Sequence, residues 1–157
     1  MDKAKIKSSI LGFIIGDALG VPFEFIPRQR MKQKPAEDMV GGGSWEQPVG
    51  TWSDDTSMVL ATLDCLSAGY DLTMLGSNFH HWYSLNEYTP NGRVFDIGIQ
   101  TKAGIDRIGD LIKSNKQVTP MPLGTGDKRN GNGSLMRILP FGFYLRYNQP
   151  IEERYRI

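Results

Sequence analysis

The 157-residue sequence has a single cysteine, almost no net charge and no long uninterrupted apolar run. One cysteine, Cys65, excludes an intramolecular disulfide and is typical of a reducing compartment. A formal net charge of +1 gives no electrostatic signal for binding nucleic acid or an anionic membrane. The most apolar stretch, "ILGFIIGDALGVPFEF", is interrupted by glycine and aspartate, and the N-terminus lacks the features of a signal peptide. These absences predict a cytoplasmic protein with no membrane span.

The sequence also lacks any sustained alternation of apolar and polar residues, so no β-strand competes with the helical pattern. We therefore expect one all-α domain over residues 1–157, which is long enough to bury a core. The predicted helices cover residues 3–19, a segment from Ser53 or Asp54 to Gly69, and residues 73–86, 95–114 and 134–147, the last with a kink at Pro140. Two long loops, 21–52 and 117–133, separate them.

The first predicted helix has apolar residues at helical spacing, which predicts a buried stripe. The stripe consists of Ile6, Ile10, Leu11, Ile14, Ile15 and Leu19. At the other end of the chain, "PIEERYRI" has the proline and the acids that are typical of a helix start. This segment is either a docked C-terminal turn or the beginning of a further part of a longer protein.

Adjacent carboxylates stand in "GTWSDDTSMVL", where Asp54 and Asp55 lie between the hydroxyls of Ser53 and Thr56. One acid at a helix N-terminus is explained by the helix dipole. Two acids with flanking hydroxyls exceed what capping needs, and such oxygen ligands suit Mg²⁺, Mn²⁺ or Ca²⁺ rather than Zn²⁺. Capping and metal binding both stay open at this stage.

Three further features carry possible chemistry. The glycine-rich "GNGSLMR" at residues 131–137 is either a phosphate site or a capped turn. Asp17 lies in an apolar stripe, which is costly for a carboxylate unless it is paired or near a ligand, and Glu24 follows where the helix opens into the long loop. Asp96 is expected at the start of the fourth helix, as a cap or as a functional acid. Aromatic residues in or beside the long loop, Trp45 among them, either stack on a base or fill the core.

Four motifs together resemble the ADP-ribosylglycohydrolase family, which includes dinitrogenase reductase-activating glycohydrolase. They are "GFIIGDALGVPFEF", "GTWSDDTSMVLATLDCL", "FDIGIQT" and "GNGSLMRILPFG", in the order of the family and spread from residue 12 to residue 142. The resemblance implies an all-α fold around two Mg²⁺ or Mn²⁺ ions. It also implies hydrolysis of the glycosidic bond of an ADP-ribosyl group, with release of ADP-ribose from a modified protein or small molecule.

The resemblance also assigns residues. Ser53, Asp54 and Asp55 match the first metal-ligand triplet of the family, with serine in place of the common threonine. Glu24 and Asp96 match acids with catalytic roles in some members. The remaining positions are expected to contact substrate, and they are Asp17, Gly98, Gly131, Asn132, Gly133 and Ser134.

One feature of the family is missing from this sequence. The second metal triplet is an Asp-x-Asp-Thr motif in the C-terminal half of members that are roughly twice this length, and the sequence contains no Asp-x-Asp. The first triplet alone falls short of the six or more oxygens that hard cations require. We therefore expect the N-terminal half of the family fold. Either a second chain or subunit supplies the rest of the site, or the chain is a catalytically inactive fragment that binds ADP-ribose or a partner.

Overall fold

The computed structural model describes residues 2–120 and 131–148. The predicted all-α class is confirmed, since the only β-type pairing among these residues is an isolated bridge between Gly42 and Gln47. The α-helices are α1 (Lys3–Gly20), α2 (Arg28–Gln33), α3 (Asp54–Ala68), α4 (Leu72–Leu85), α5 (Ile99–Lys113) and α6 (Leu139–Asn148).

The core lies where α3, α4 and α5 pack side by side, with α6 against α3. The helices meet through a cluster of fully or nearly fully buried side chains, which are Met58, Ala61, Cys65, Leu75, Phe79, Trp82 and Ile105. Cys65 is one of them, so the lone cysteine serves as a core residue. This core fixes the N-terminal turn of α3, which carries Asp54 and Asp55.

Local sequence signals set the ends of α3 and α4. Ser53 is the N-cap of α3, where its hydroxyl accepts a hydrogen bond from the Asp55 amide, and Gly69 ends the helix at φ 102°. Asp71 caps α4 by accepting from the Met74 amide at 2.6 Å. The predicted bounds of these two helices are confirmed to within a residue or two.

The prediction of one uninterrupted loop over residues 21–52 is wrong. The segment contains 3₁₀ turns at Val21–Phe23 and Gly43–Trp45 and the two-turn helix α2. Helix α2 forms because its sequence, "RQRMKQ", consists of good helix formers and follows Pro27, whose extended backbone starts the helix. The two 3₁₀ turns pack against each other, which matters for the position of Glu24.

The fourth and fifth predicted helices start too early. Helix α5 begins at Ile99 with Gly98 as its N-cap, because Asp96 adopts a left-handed φ of 52° that a helix cannot contain. Asp96 is therefore neither in α5 nor its cap. The segment after Gly131 forms a 3₁₀ turn (Asn132–Ser134), and α6 begins at Leu139, so Pro140 lies in the first turn and does not kink the helix.

Helix α1 departs from the predicted buried stripe. Leu11 and Ile15 are 46% and 56% exposed, and Ala18 is the one residue of the helix classed as buried. Residues Lys3–Phe23 are also long and apolar enough to cross a membrane by length and composition, contrary to our reading of the sequence. Core helices and N-terminal signals pass the same test, and Asp17 hydrogen-bonds α1 to α3. The apolar face of α1 is thus only partly covered in the described structure, since Ile6, Ile10 and Ile14 are half-buried.

Two features discussed from the sequence lie outside the described residues. They are the glycine-rich residues 121–130 that precede "GNGSLMR", and the predicted helix start at residues 150–157.

Candidate active site

Asp17 on α1 binds the N-terminus of α3. Its carboxylate accepts hydrogen bonds from the Ser53 amide (3.0 Å), the Ser53 hydroxyl (2.7 Å) and the Thr56 amide (3.0 Å). These amides are among the donors that a helix leaves unpaired at its start, and the helix dipole adds to the attraction. The acid in the apolar stripe is therefore explained by long-range capping, and it holds α1 against the turn that carries Asp54 and Asp55.

Asp54 and Asp55 stand in the first turn of α3 with no such compensation. Asp54 is 5% exposed and Asp55 is half-buried, and no hydrogen-bond donor within residues 2–120 and 131–148 contacts either carboxylate. Burial, followed by repulsion from neighbouring carboxylates, raises the pKa of Asp54 to about 8 and that of Asp55 to about 6. Both carboxylates are thus held where their charge is unfavourable unless a cation is present.

Glu24 and Asp96 lie at the same end of the fold. Burial raises the pKa of Glu24 to about 7, and repulsion from Asp96 adds to the effect, although a hydrogen bond from Trp45 opposes it. Burial also raises the pKa of Asp96, and each of the two acids affects the pKa of the other. The protonation of one acid therefore depends on that of the other.

Asp17, Glu24 and Asp55 line a shallow hollow of about 590 Å³ beside α1. The glycines of α1 form its other wall, and they are Gly12, Gly16 and Gly20. Asp96 raises the pKa of Glu24 and Asp55, and the three acids of the hollow raise the pKa of Asp54. The five acids singled out in the sequence, spread from residue 17 to residue 96, are thus brought together by the fold.

The group has the donor chemistry for a hard cation but not a full coordination set. The buried carboxylate of Asp54 and the half-buried one of Asp55, both without donors, fit Mg²⁺ or Mn²⁺. Ser53 Oγ retains one lone pair after its two hydrogen bonds. The buried Thr56 hydroxyl in the same turn also lacks a partner within the described chain. Residues 2–120 and 131–148 nevertheless contain no group of three or more His, Cys, Asp or Glu arranged to hold a metal ion. The residues fit part of a metal site.

A separate cavity of about 570 Å³ opens between α4, α5 and the 131–137 segment. Gly131, Gly133 and Ser134 line it together with Thr101 and Arg137. A Cβ atom on Gly133 would lie 2.5 Å from Thr101 Oγ1, so this close approach requires glycine. Asn132 and Gly98 are exposed and do not line the cavity.

Arg137 connects this cavity to the carboxylates. Its guanidinium lies over the Phe79 ring, 5.0 Å from the centroid, and Nη1 is 3.4 Å from Met58 Sδ. Burial lowers the pKa of Arg137, whereas Asp54 acts in the opposite direction. Neither Arg137 nor Thr101 was singled out in the sequence, although the position of Arg137 within "GNGSLMR" was a usable signal.

Comparison with known proteins identifies the family of the chain. The family model described as ADP-ribosylglycohydrolase matches residues 2–157, and the chain belongs to this family. A solved structure of an ADP-ribosylglycohydrolase-related protein complex superposes with a TM-score of 0.60 at 29% identity, covering 84% of this chain and 39% of the other.

Curated relatives resemble the chain over most of its length. The ADP-ribosylarginine hydrolase Tri1 of Pseudomonas putida (strain GB-1) is 35% identical over 94% of this chain and 38% of its own length. The ADP-ribosyl-[dinitrogen reductase] glycohydrolase of Rhodospirillum rubrum is 32% identical over 84% of this chain and 42% of its own length. The chain thus spans about two fifths of the length of these relatives.

Proposed function

We propose that this chain provides part of the active site of a metal-dependent hydrolase that cleaves the glycosidic bond of an ADP-ribosyl group and releases ADP-ribose. The observation that carries the proposal is the first turn of α3. There, two carboxylates without hydrogen-bond donors lie beside Glu24 and Asp96, in a member of the ADP-ribosylglycohydrolase family. Such a group of repelling acids is unfavourable for folding alone, which is typical of functional sites.

Ser53, Asp54 and Asp55 would hold Mg²⁺ or Mn²⁺. Such an ion, when bound, would supply Lewis acidity for the activation of water. Asp17 contributes indirectly, because its hydrogen bonds to Ser53 and Thr56 fix the turn on which the ligands stand. The ligands that complete the coordination come from water or from polypeptide beyond the described residues.

Glu24 is the best candidate for proton transfer. A carboxyl group with a pKa of about 7 is present in both protonation states near neutral pH, which suits a general acid or base. Repulsion from the charge of Asp96 favours the protonated form of Glu24. Glycosidic cleavage requires protonation of the leaving group and deprotonation of the attacking water, and this pair can serve either step.

The cavity at Gly131, Gly133 and Ser134 is the proposed site of the ADP-ribose phosphates. The positive charge of Arg137, which lines this cavity, favours an anion there. Asn132, Asp17 and Gly98 stay predicted substrate contacts. Because the Pseudomonas putida relative is named an ADP-ribosylarginine hydrolase, arginine-linked ADP-ribose is the first substrate to test.

A second candidate is a module that binds ADP-ribose or a partner chain without turnover. It is favoured by the incomplete ligand set, with two carboxylates and one hydroxyl in the first turn of α3. In that case a second chain or subunit would supply the missing ligands. For both candidates we also propose a cytoplasmic location, because a single free cysteine is typical of a reducing compartment.

The test is the double variant Asp54→Ala/Asp55→Ala, assayed for release of ADP-ribose from an ADP-ribosylated arginine substrate with Mg²⁺ or Mn²⁺. We expect loss of metal-dependent release. The matched control is Asp106→Ala/Asp110→Ala, which removes two exposed acids from α5. Full activity in the first variant contradicts the proposal. Calorimetric binding of ADP-ribose by the unmodified chain without turnover favours the binding module instead.

A further inference from the structure

Trp45 makes a direct contact with the proposed acid. Its indole N–H donates a hydrogen bond of 2.5 Å to Oε2 of Glu24, across 21 positions of sequence and in a partly buried place. A hydrogen bond between a neutral donor and a carboxylate is stronger and more directional than one between neutral groups. A flexible glutamate on a turn otherwise samples several rotamers, and this contact selects one of them.

The turn that carries Trp45 is itself held in place. Gly42 and Gly43 have φ of 88° and 71°, and Gln47 Nε2 donates to the Trp45 carbonyl at 2.8 Å. A Cβ atom on Gly43 would lie 2.3 Å from the carbonyl oxygen of Pro22, so the two turns touch through backbone. The Ser44 hydroxyl adds a 3.0 Å hydrogen bond to the Glu24 carbonyl. The Trp45 turn is thus docked on the segment that bears Glu24.

The Trp45 ring also contacts the aromatic neighbours of both acids. Its centroid lies 6.0 Å from that of Phe25, which follows Glu24, and 5.9 Å from that of Phe95, which precedes Asp96. Phe25 and Asp96 have φ of 61° and 52°, conformations that non-glycine residues rarely adopt without tertiary support. One indole ring therefore links the two chain segments that carry the acid pair.

We infer that Trp45 is a positioning residue that holds the Glu24 carboxyl in register with Asp96. The inference rests on the proposed function only for its catalytic consequence. The geometry itself can be tested in the 157-residue chain whether or not that chain turns over substrate.

The first measurement is the NMR spectrum of the tryptophan indole N–H groups. Trp45→Phe keeps an aromatic ring, removes the donor and identifies the Trp45 resonance by its disappearance. We expect Glu24→Gln to shift this resonance and to leave the Trp52 and Trp82 resonances in place. We also expect the two Hγ protons of Glu24, distinct in the unmodified chain, to average in Trp45→Phe. An indole signal that does not respond to Glu24→Gln overturns the inference.

Trp52→Phe is the matched control, because the Trp52 indole donates to the Tyr88 carbonyl and not to a carboxylate. It removes one indole hydrogen bond of similar kind, so a general loss of stability appears in both variants. Only Trp45→Phe should change the Glu24 Hγ signals. Equal changes in both variants mean that Trp45 is merely structural, which contradicts the inference.

The second measurement is ADP-ribose release, which separates the inference from the proposed function. Misplacing a reacting group by about 1 Å can cost about 100-fold in rate, so we expect Trp45→Phe to lower kcat at least about tenfold with little change in KM. In a Glu24→Gln background the same substitution should cost no further activity. Normal kcat in Trp45→Phe overturns the inference. Absence of turnover in every form, with the indole shift present, favours the binding module over the hydrolase and leaves the positioning supported.

Discussion

The middle of α3 buries apolar side chains, whereas its first turn buries a carboxylate. Along the middle, Met58 and Cys65 are fully buried against Phe79 and Trp82 of α4, and every contact favours folding. In the first turn, Asp54 is nearly as buried but is surrounded by other acids. One helix thus carries both core residues and a buried carboxylate whose charge is unfavourable, a combination that is typical of functional sites.

Two acids of the site differ in the same way, by whether their carboxylates accept hydrogen bonds. Asp17 satisfies its carboxylate with three donors from α3, whereas Asp54 has none among the described residues. Removing the charge of Asp17 should therefore destabilise the fold, and removing that of Asp54 should stabilise it. The two substitutions are thus expected to change the stability of the fold in opposite directions.

The largest expected effect is in the core. Trp82→Ala empties the space of a side chain that is 1% exposed and should cost about 3–5 kcal/mol in the free energy of unfolding. Urea or thermal denaturation followed by circular dichroism measures it. Leu85→Ala, at a residue of the same helix that is 60% exposed, is the control and should change stability by less than about 0.5 kcal/mol. Similar losses in the two variants would refute the assignment of the core.

Asp17→Ala should cause the next largest loss in the free energy of unfolding. It leaves two backbone amides and one hydroxyl without a charged acceptor, and hydrogen bonds to charged groups contribute about 1.5–3 kcal/mol each. Access of water and relief of repulsion offset part of this loss, so we expect a net cost of about 2 kcal/mol in denaturation experiments. Asp17→Asn keeps one acceptor oxygen and should lose less. A fully stable Asp17→Ala variant would show that this capping is unimportant.

Asp54→Asn should increase the stability of the fold, in contrast to Asp17→Ala. The folded-state pKa of Asp54, about 8, exceeds the ordinary value of 3.8, so the folded protein binds this proton more tightly than the unfolded chain does. The contribution of Asp54 to stability is therefore greatest at acid pH and is lost as pH rises from about 4 to about 8. In EDTA at pH 8, we expect Asp54→Asn to be stabler by about 1 kcal/mol, a rise in Tm of about 2–4 °C.

Divalent cations provide the control for this prediction. Mn²⁺ should raise the Tm of the unmodified chain and reduce its pH dependence, because a ligand that binds the folded state stabilises it. Asp54→Asn should respond much less. If Asp54→Asn is less stable than the unmodified chain at pH 8 without metal, the contrast with Asp17 is wrong.

The smallest effect is expected on the exposed face of α5. Lys102 and Asp106 form an i,i+4 ion pair at 2.7 Å, with both side chains about half exposed. Exposed pairs of this type contribute about 0.3–0.5 kcal/mol, so Lys102→Ala should change Tm by only a degree or so, and less at high salt. A loss above about 1 kcal/mol would show that Lys102 also acts through its contact with the Tyr83 ring.

Much of the helical framework could be predicted from sequence. Ser53 and Gly69 mark the two ends of α3, and their effects depend only on the chain within a turn or two. The start of α5 could not be predicted, because the pattern of apolar residues gave no sign of the left-handed φ at Asp96. The exposure of Leu11 and Ile15 was missed for a related reason: spacing predicts an apolar face but not what covers it.

The candidate site divides along the same line. The sequence by itself determined the family, the all-α class and the candidate functional carboxylates, since these depend on which residue types follow one another along the chain. Only the tertiary structure decided that Asp17 is a cap, that Asp54 lacks donors and that Trp45 contacts Glu24. Those contacts join residues 21 to 39 positions apart, and local spacing carries no information about which distant groups the packing of helices and turns brings together.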